Sequence, residues 1–295
     1  MALHAGDMEE TAERLVRSAG LMSFDVDKDI DWSAGFDPDL AYFSEHRCSL
    51  YGTPTWDAWS RDQRVEFTKH QLASMHAIEA WVETLLMQML IRQVYSADSA
   101  SAYAWHLYTE IADECRHSTM FGRMVAATEA PTYRAPWWAR QGGKVFAATA
   151  PPAVAMALAM FFEEYGDALQ RESAGDEALQ PLVRRISHIH VIEESRHLKF
   201  ARAELIERLP NSPVQKALVS ALYGPIALLV TRFMVSPQVY ENCGLDKRAA
   251  TRAARKNKHW RQTQKWASEH AMRTFAELGI RNRFGDALCR VGGVL

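Results

Sequence analysis

The sequence contains few cysteines, and none is spaced for pairing with another. Its 295 residues include four, at positions 48, 115, 243 and 289, and no two of them form a Cys-x-x-Cys pair. Disulfide frameworks and zinc knuckles need cysteines at short, repeated spacings. We therefore expect neither, and reduced thiols in a cytoplasmic protein are the simplest interpretation.

An excess of charge of one sign is also missing. The 34 Lys and Arg residues nearly balance the 36 Asp and Glu residues, which leaves a net charge of −2. Bulk electrostatics therefore gives no reason to expect a nucleic acid or an anionic membrane as a partner. One run, from Lys247 to Arg261, is strongly basic, and a solvated helix face is its preferred interpretation over a polyanion site.

The chain has no unbroken apolar run long enough for a membrane span. The first residues, MALHAGDMEETAERL, are acidic and lack the apolar core of a signal peptide. The longest apolar run, from Val145 to Phe162, is interrupted by Pro151-Pro152 and followed by Glu163-Glu164. A buried helix is expected there, and no membrane is expected as a partner.

Strand-like alternation of apolar and polar residues is nearly absent, and a period of 3.6 residues dominates. This pattern predicts an all-α protein. No low-complexity linker divides the chain, so residues 1–295 are predicted to form a single domain. Helices are expected at about 8–19, 57–95, 99–128, 152–173, 179–208, 213–235 and 247–278.

The stretch HIHVIEESRHLKFAR, residues 188–202, contains the first candidate site residues. Each helical residue advances by about 100°, which places His190, Glu194 and His197 on one stripe of the helix. Two imidazoles and a carboxylate on one stripe suit a transition metal. A lone Glu-x-x-His is more often a solvated surface, so the rest of the chain has to decide.

The same pattern occurs earlier in the chain. Residues 113–117, Asp-Glu-Cys-Arg-His, match residues 193–197, Glu-Glu-Ser-Arg-His. Two Glu-x-x-His motifs on two long helices, with one further Glu from each of two other helices, are typical of carboxylate-bridged metal sites in four-helix bundles. The repeat therefore favours a metal centre that includes Glu114, His117, Glu194 and His197.

The helices that precede each motif offer the two further carboxylates. One is Glu79, 35 positions before Glu114, and the other is Glu163 or Glu164, at about 31 positions before Glu194. Either separation suits an antiparallel helix hairpin that returns to the same depth. Apolar neighbours surround these glutamates, and four buried carboxylates need compensating charge, which two divalent ions would supply.

The donor types indicate which metal. Mixed carboxylate and imidazole ligands favour iron or manganese, whereas a structural zinc site would favour cysteine and closed tetrahedral coordination. Iron is preferred here because an open carboxylate-rich pair can activate O₂. His190 has no counterpart in the first motif, where Glu110 holds the equivalent position. We interpret His190 as a seventh ligand.

Four charged residues flank the motifs. Histidines that bind metals usually donate their other N–H to a carboxylate. Asp113 and Glu193 are candidates for this role, each serving the histidine of the opposite motif, with Arg116 and Arg196 balancing their charge. Ordinary salt bridges between helices are the alternative interpretation.

This pattern resembles the ligand set of the p-aminobenzoate N-oxygenase family. The resemblance implies a ferritin-like four-helix bundle over about residues 57–208, with additional helices at both ends. Family spacing favours Glu163 over Glu164 and Glu79 over Glu83. The implied metal ligands are Glu79, Glu114, His117, Glu163, His190, Glu194 and His197.

The resemblance also implies a function. Members of that family use O₂ at a peroxo di-iron centre to oxidise an aromatic amine to the hydroxylamine and onward to nitroso or nitro products. A small amine substrate, an external electron donor or reductase and a homodimer are the expected partners. The segment KHQLASMHAIE offers no arginine for a substrate carboxylate, so the identity of the amine stays open.

Other roles for the same residues remain. Aromatic residues that could line a substrate pocket are Tyr103, Trp105, Phe162 and Tyr165, for each of which core packing is the alternative. A di-iron hydroxylase or desaturase acting on a carrier-bound substrate would use the same paired motifs without needing His190. An iron-storage bundle is the third hypothesis.

Overall fold

The computed structural model describes residues 5–295, which are 75% helical. Within this range there is no β-strand, and a single isolated bridge joins Ala41 to Leu179. The predicted all-α class is confirmed. The helices are α1 (Ala5–Leu21), α2 (Pro54–Ala58), α3 (Arg61–Tyr95), α4 (Ala102–Ala127), α5 (Trp137–Thr149), α6 (Pro152–Gly175), α7 (Pro181–Asn211), α8 (Pro213–Phe233), α9 (Pro237–Asn242), α10 (Lys247–Lys256), α11 (Lys258–Ala267), α12 (Glu269–Glu277) and α13 (Arg283–Gly292).

Two long helix hairpins form the centre of the fold. Short connections join α3 to α4 and α6 to α7, so the helices of each pair run antiparallel and pack along their lengths. Helix α1 covers α4 and α7, α8 covers α6, and α13 packs on α8. The two hairpins together make the four-helix core that the sequence predicted over residues 57–208.

The two hairpins differ in the residues at the N-termini of their helices. Ser60 caps α3 in a reciprocal capping box with Gln63, and the Ser101 hydroxyl accepts the Ala104 N–H at the start of α4. Helices α6 and α7 begin instead at Pro152 and Pro181, where the missing N–H costs nothing.

The structure corrects two predicted helices. The helix expected over 57–95 is divided into α2 and α3, because Trp59 and Ser60 adopt extended backbone conformations. The helix expected over 247–278 is divided into α10, α11 and α12. Its first break is at Asn257, where the backbone leaves the helical conformation. The side-chain amide of Asn257 donates to the carbonyls of Ser49 and Tyr51.

The basic run at the start of this region lies mainly at the surface. Ala250 and Ala254 of α10 are buried, while Arg248, Arg252 and Arg255 are exposed. A solvated helix face, which was the preferred interpretation, describes this arrangement.

Three helices, α5, α9 and α13, were not predicted. Helix α13 packs so closely on α8 that a Cβ atom at Gly224 would lie 2.5 Å from the Gly285 Cα. In the same region, the helical stretch Pro213–Asn242 is long and apolar enough to cross a membrane by length and composition, but half of its most apolar window is buried in the fold. The expected run at 145–162 is divided between α5 and α6, as its prolines require.

Candidate metal centre

Buried carboxylates and imidazoles meet where the four long helices of the two hairpins face one another. Helix α4 contributes one Glu-x-x-His pair and α7 the other, together with a third histidine, while α3 and α6 contribute one glutamate each. All of these side chains are at most 3% exposed. The residues are Glu83, Glu114, His117, Glu163, His190, Glu194 and His197.

The two Glu-x-x-His pairs form the middle of the group. One donor atom from each of Glu114, His117, Glu194 and His197 lies within 4.8 Å of the other three. His197 Nδ1 is 2.8 Å from Glu194 Oε1 and 3.1 Å from Glu114 Oε1. His117 Nδ1 is likewise 3.2 Å from Glu114 and 3.4 Å from Glu194. Both imidazoles therefore direct the same nitrogen at the same two carboxylates.

His190 joins the remaining glutamates to this group. It forms one cluster with Glu83 and His117, and another with Glu163 and Glu194. Its Nε2 lies 3.7 Å from Glu83 and 3.8 Å from Glu194. The residue that breaks the symmetry of the motifs thus lies at the centre of the cluster.

Helix α3 offers Glu83 to the cluster rather than the expected Glu79. Glu79 is bound elsewhere, since its Oε2 lies 2.6 Å from His76 Nδ1 and Gln170 donates to its other oxygen. Glu83 accepts a hydrogen bond from Ser118 at 2.9 Å and leaves Oε1 without a partner. The geometry therefore favours Glu83 as the candidate ligand on α3, where family spacing favoured Glu79.

A signal for Glu83 was present in the sequence. Glu83 precedes Glu114 by 31 positions, and Glu163 precedes Glu194 by the same 31. Because the two separations are equal, the two hairpins place both pairs of residues at the same level along the bundle. On α6, the choice of Glu163 over Glu164 agrees with the geometry, because Glu164 turns away to pair with His270 at 2.5 Å.

The charged residues beside the motifs are joined in a network that crosses between the hairpins. Glu193 Oε2 lies 2.9 Å from His117 Nε2, and Asp113 Oδ2 lies 3.2 Å from His197 Nε2. Each carboxylate thus serves the histidine of the opposite motif, in the arrangement considered from the sequence. Because a carboxylate only accepts, each Nε2 carries a proton. Nδ1, which faces Glu114 and Glu194, is then the nitrogen that could bind a metal in place of a proton.

Two arginines balance these carboxylates. Arg116 donates to Glu193 at 2.9 Å and also to Asp113, while Arg196 donates to Asp113 at 3.0 Å. Burial disfavours an ionised Asp113, but its contacts with His197 and the arginines outweigh burial and hold its pKa well below the ordinary value. The outer carboxylates therefore stay ionised, as the orientation of the imidazoles requires.

Burial and neighbouring charges shift the pKa values of the inner residues away from their ordinary values. Burial raises the pKa of Glu83 and of Glu163 well above ordinary values, and the neighbouring carboxylates raise both further. Burial also lowers the pKa of His190, and the other histidines lower it further. Burial opposes a charged His117, yet its contacts with Glu114 and Glu193 raise its pKa well above the usual range.

Unpartnered atoms test whether the cluster fits metal ions. Six buried oxygen and nitrogen atoms of the cluster make no hydrogen bond within the described chain, although buried polar atoms almost always make one. Four carboxylates and three imidazoles are the donors that iron or manganese takes in helical bundles. The residues present therefore fit a pair of divalent cations. The six atoms are Glu83 Oε1, Glu114 Oε1, Glu163 Oε1, Glu194 Oε2, His190 Nδ1 and His190 Nε2.

The four aromatic residues predicted to line a pocket do not share one pocket. Trp105 is 49% exposed, and its indole N–H donates to the Ser99 carbonyl at the surface. Tyr103 lies against Phe200, and its hydroxyl accepts a hydrogen bond from Arg208 and donates one to Gln93. Tyr165 is fully buried with an unpartnered hydroxyl. Of the four, Phe162 alone lines the apolar cavity described next.

An apolar cavity of about 240 Å³ lies between α3, α5, α6 and α8. Val82 and Phe162 both line it, and the residues that directly follow them, Glu83 and Glu163, belong to the metal-binding cluster. The cavity and the cluster are therefore neighbours on adjacent faces of α3 and α6. Sequence analysis missed this cavity because one of its walls is α5.

Comparison with known proteins agrees with the predicted resemblance. The family profile described as "P-aminobenzoate N-oxygenase AurF" matches residues 5–279, nearly the whole chain, and that family has a helical, ferritin-like di-iron fold. An uncharacterized protein of Mycobacterium tuberculosis strain CDC 1551 is 27% identical over 230 residues, covering 74% of this chain and 67% of the relative. An uncharacterized protein of Mycobacterium bovis is 26% identical over the same shares. These relatives indicate no substrate, but the profile match shows that the chain belongs to the p-aminobenzoate N-oxygenase family.

Proposed function

We propose that the protein is a di-iron monooxygenase that uses O₂ to oxidise the nitrogen of a small aromatic amine. Membership of the family supports an oxygenase. The observation that carries the finer proposal is the buried set of four carboxylates and three imidazoles with six unpartnered atoms. The proposed ligands are Glu83, Glu114, His117, Glu163, His190, Glu194 and His197.

The bound irons would supply the redox chemistry that activates O₂. The chain's own residues prepare the site for them. Glu193 and Asp113 fix the orientation and tautomer of His117 and His197, and the two arginines keep those carboxylates charged. The buried walls of the bundle exclude bulk water, which strengthens every electrostatic contact inside.

The overall reaction requires electrons from outside the protein. Conversion of an amine and O₂ to a hydroxylamine and water consumes two electrons and two protons. An external donor or reductase therefore belongs to the proposal. We also propose a homodimer in the cytoplasm, acting in secondary metabolism; the four unpaired thiols are in keeping with a reducing compartment.

The test begins with the metal-free protein loaded anaerobically with Fe(II). We expect about two irons per chain. Rapid mixing with O₂ should give a transient visible absorption whose decay an aromatic amine accelerates, and ¹⁸O₂ should label the hydroxylamine or nitro product. Substrate-free mixing gives the control decay.

The outcomes separate the alternatives. A transient that no free amine affects, but that a carrier-bound acyl substrate discharges, would replace this proposal with a hydroxylase or desaturase. Uptake of many irons per chain with slow mineral formation would replace it with iron storage. Two irons with labelled amine product would establish the N-oxygenase.

A further inference from the structure

The apolar cavity between α3, α5, α6 and α8 has walls of one chemical kind. None of the described residues that line it has a charged side chain, and the polar side-chain atoms among them are the indole N–H groups of Trp81 and Trp138. Phe146 and Phe162 contribute further aromatic surface. Such walls suit a flat apolar ring, which aromatic side chains contact edge-on or face-on.

Cations near the cavity are bound elsewhere or lie outside its walls. On α3, Arg92 donates to the carbonyls of Ala147 and Ala150 at the end of α5. On α8, Arg232 donates to the Val291 carbonyl on α13. No basic residue of α5 is among the lining residues. A carboxylate entering the cavity would therefore lose its water without gaining a partner, which is strongly unfavourable.

The volume of the cavity limits the size of the ligand. Its volume of about 240 Å³ is below the roughly 300–1,000 Å³ of pockets for drug-sized ligands. A single substituted benzene ring is the appropriate size. The adjacency of Val82 to Glu83, and of Phe162 to Glu163, places such a ring beside the metal-binding cluster.

We propose that this cavity binds the substrate and selects an uncharged, carboxylate-free arylamine, such as aniline or a 4-alkylaniline, over an aminobenzoate. This proposal rests on the proposed function, because the cavity is assigned to the substrate of that reaction. It commits the chain to a substrate class different from the acid in the family's name.

Binding to the metal-free protein tests the proposal without turnover. Calorimetry, or ligand-observed NMR for weak binders, should show that 4-ethylaniline binds at least about 100-fold more tightly than 4-aminobenzoate at neutral pH, because the buried carboxylate has no partner. Equal or tighter binding of 4-aminobenzoate would overturn the proposal. So would undetectable binding of 4-ethylaniline.

A matched pair of glycines shows whether the ligand occupies this cavity. Gly142 on α5 and Gly122 on α4 are both exposed helical glycines, and a Cβ atom added to either would meet no heavy atom within 4 Å. Only Gly142 lines the cavity. G142F should weaken 4-ethylaniline binding at least about tenfold by obstructing the cavity, whereas G122F should leave it unchanged. Equal effects of the two variants would place the ligand elsewhere and overturn the assignment.

A charge introduced at the edge of the cavity should reverse the preference. Leu229 lines the cavity and is 40% exposed, so it lies where the cavity meets solvent. L229R should improve 4-aminobenzoate binding at least about tenfold, while L229M, of similar length but uncharged, should not. Failure of L229R to improve binding of the acid, in a variant that still binds 4-ethylaniline, would contradict the charge argument.

The same data distinguish this proposal from the proposed function. If 4-ethylaniline binds the cavity but the iron-loaded protein does not oxidise it or any related amine, the oxygenase proposal fails and the cavity assignment to a neutral aromatic ligand stands. If the loaded protein oxidises 4-aminobenzoate in preference to neutral amines and G142F has no effect, the oxygenase stands and this inference fails.

Discussion

The two hairpins of the bundle are near-copies of each other at the metal-binding cluster, and they differ at one inner position. Residues separated by 80 positions correspond: Glu83 to Glu163, Glu114 to Glu194 and His117 to His197. The same shift relates Glu110 to His190. Glu110 is buried near His106 at 3.4 Å, whereas His190 faces the cluster. The comparison teaches that the shared residues would form a symmetric two-metal centre, and that the one asymmetric residue would give the two proposed metal positions different surroundings.

The largest expected effect follows from the correspondence of Glu83 with Glu163. E83Q should lose about one iron per chain and at least about 100-fold of amine oxidation, because a ligand is removed. E79Q should retain both irons, since Glu79 corresponds to Ala159 and pairs with His76. Iron analysis and product formation measure both variants. Iron loss in E79Q with full loading in E83Q would restore the original assignment.

The asymmetric position gives the next largest effect. H190A should change one of the two iron sites in the Mössbauer spectrum and abolish amine oxidation, because a nitrogen donor shared by two donor clusters disappears. E110Q should leave the spectrum unchanged, because Glu110 belongs to none of the groups of donors that could hold a metal. Full amine oxidation by H190A would show that His190 is not a required ligand and would leave only the generic set of di-iron ligands.

The outer carboxylates should have equal and intermediate effects. D113N and E193Q each replace the carboxylate that orients the histidine of the opposite motif by a neutral amide, and metal affinity should fall by about 10–100-fold in each. Competition titration with a chelator measures the loss. A large effect in one variant and none in the other would show that the network, unlike the ligands, is not symmetric.

The smallest expected effect is the loss of stability when the serine caps of α3 and α4 are removed. S60A and S101A each remove a serine cap, and each should lower the free energy of unfolding by about 1 kcal/mol. Chemical denaturation of the metal-free protein measures this loss, with S99A, outside the helices, as a control. Losses near zero would mean that packing alone determines where α3 and α4 begin.

Residue patterns predicted most of the bundle and its cluster. The Glu-x-x-His repeat located α4 and α7, and the apolar periodicity located α3 and α6, because both signals are local. The preference for Glu79 over Glu83 relied on spacing in a resembling family. The shift of 80 positions within this chain and the geometry of the cluster favour Glu83 instead.

Long-range packing explains the other differences. The break at Asn257 depends on carbonyls of Ser49 and Tyr51, about 200 positions earlier in the chain, so no local pattern reveals it. The cavity needs α5, where Gly143 packs so closely on α3 that a Cβ atom there would lie 3.1 Å from Trp81 and Leu85. Pocket residues therefore could not be identified from aromatic content alone.

The crossed contacts of His117 with Glu193 and of His197 with Asp113 also bear on the order of events during synthesis of the chain. The first hairpin leaves the ribosome well before the second, carrying its glutamates and His117 but not Glu193. Without that acceptor the imidazole would have no fixed tautomer, so a half-made chain would present no organised site to free iron. Capture of the proposed metal pair would then be delayed until both hairpins have docked, when the surrounding walls are also in place.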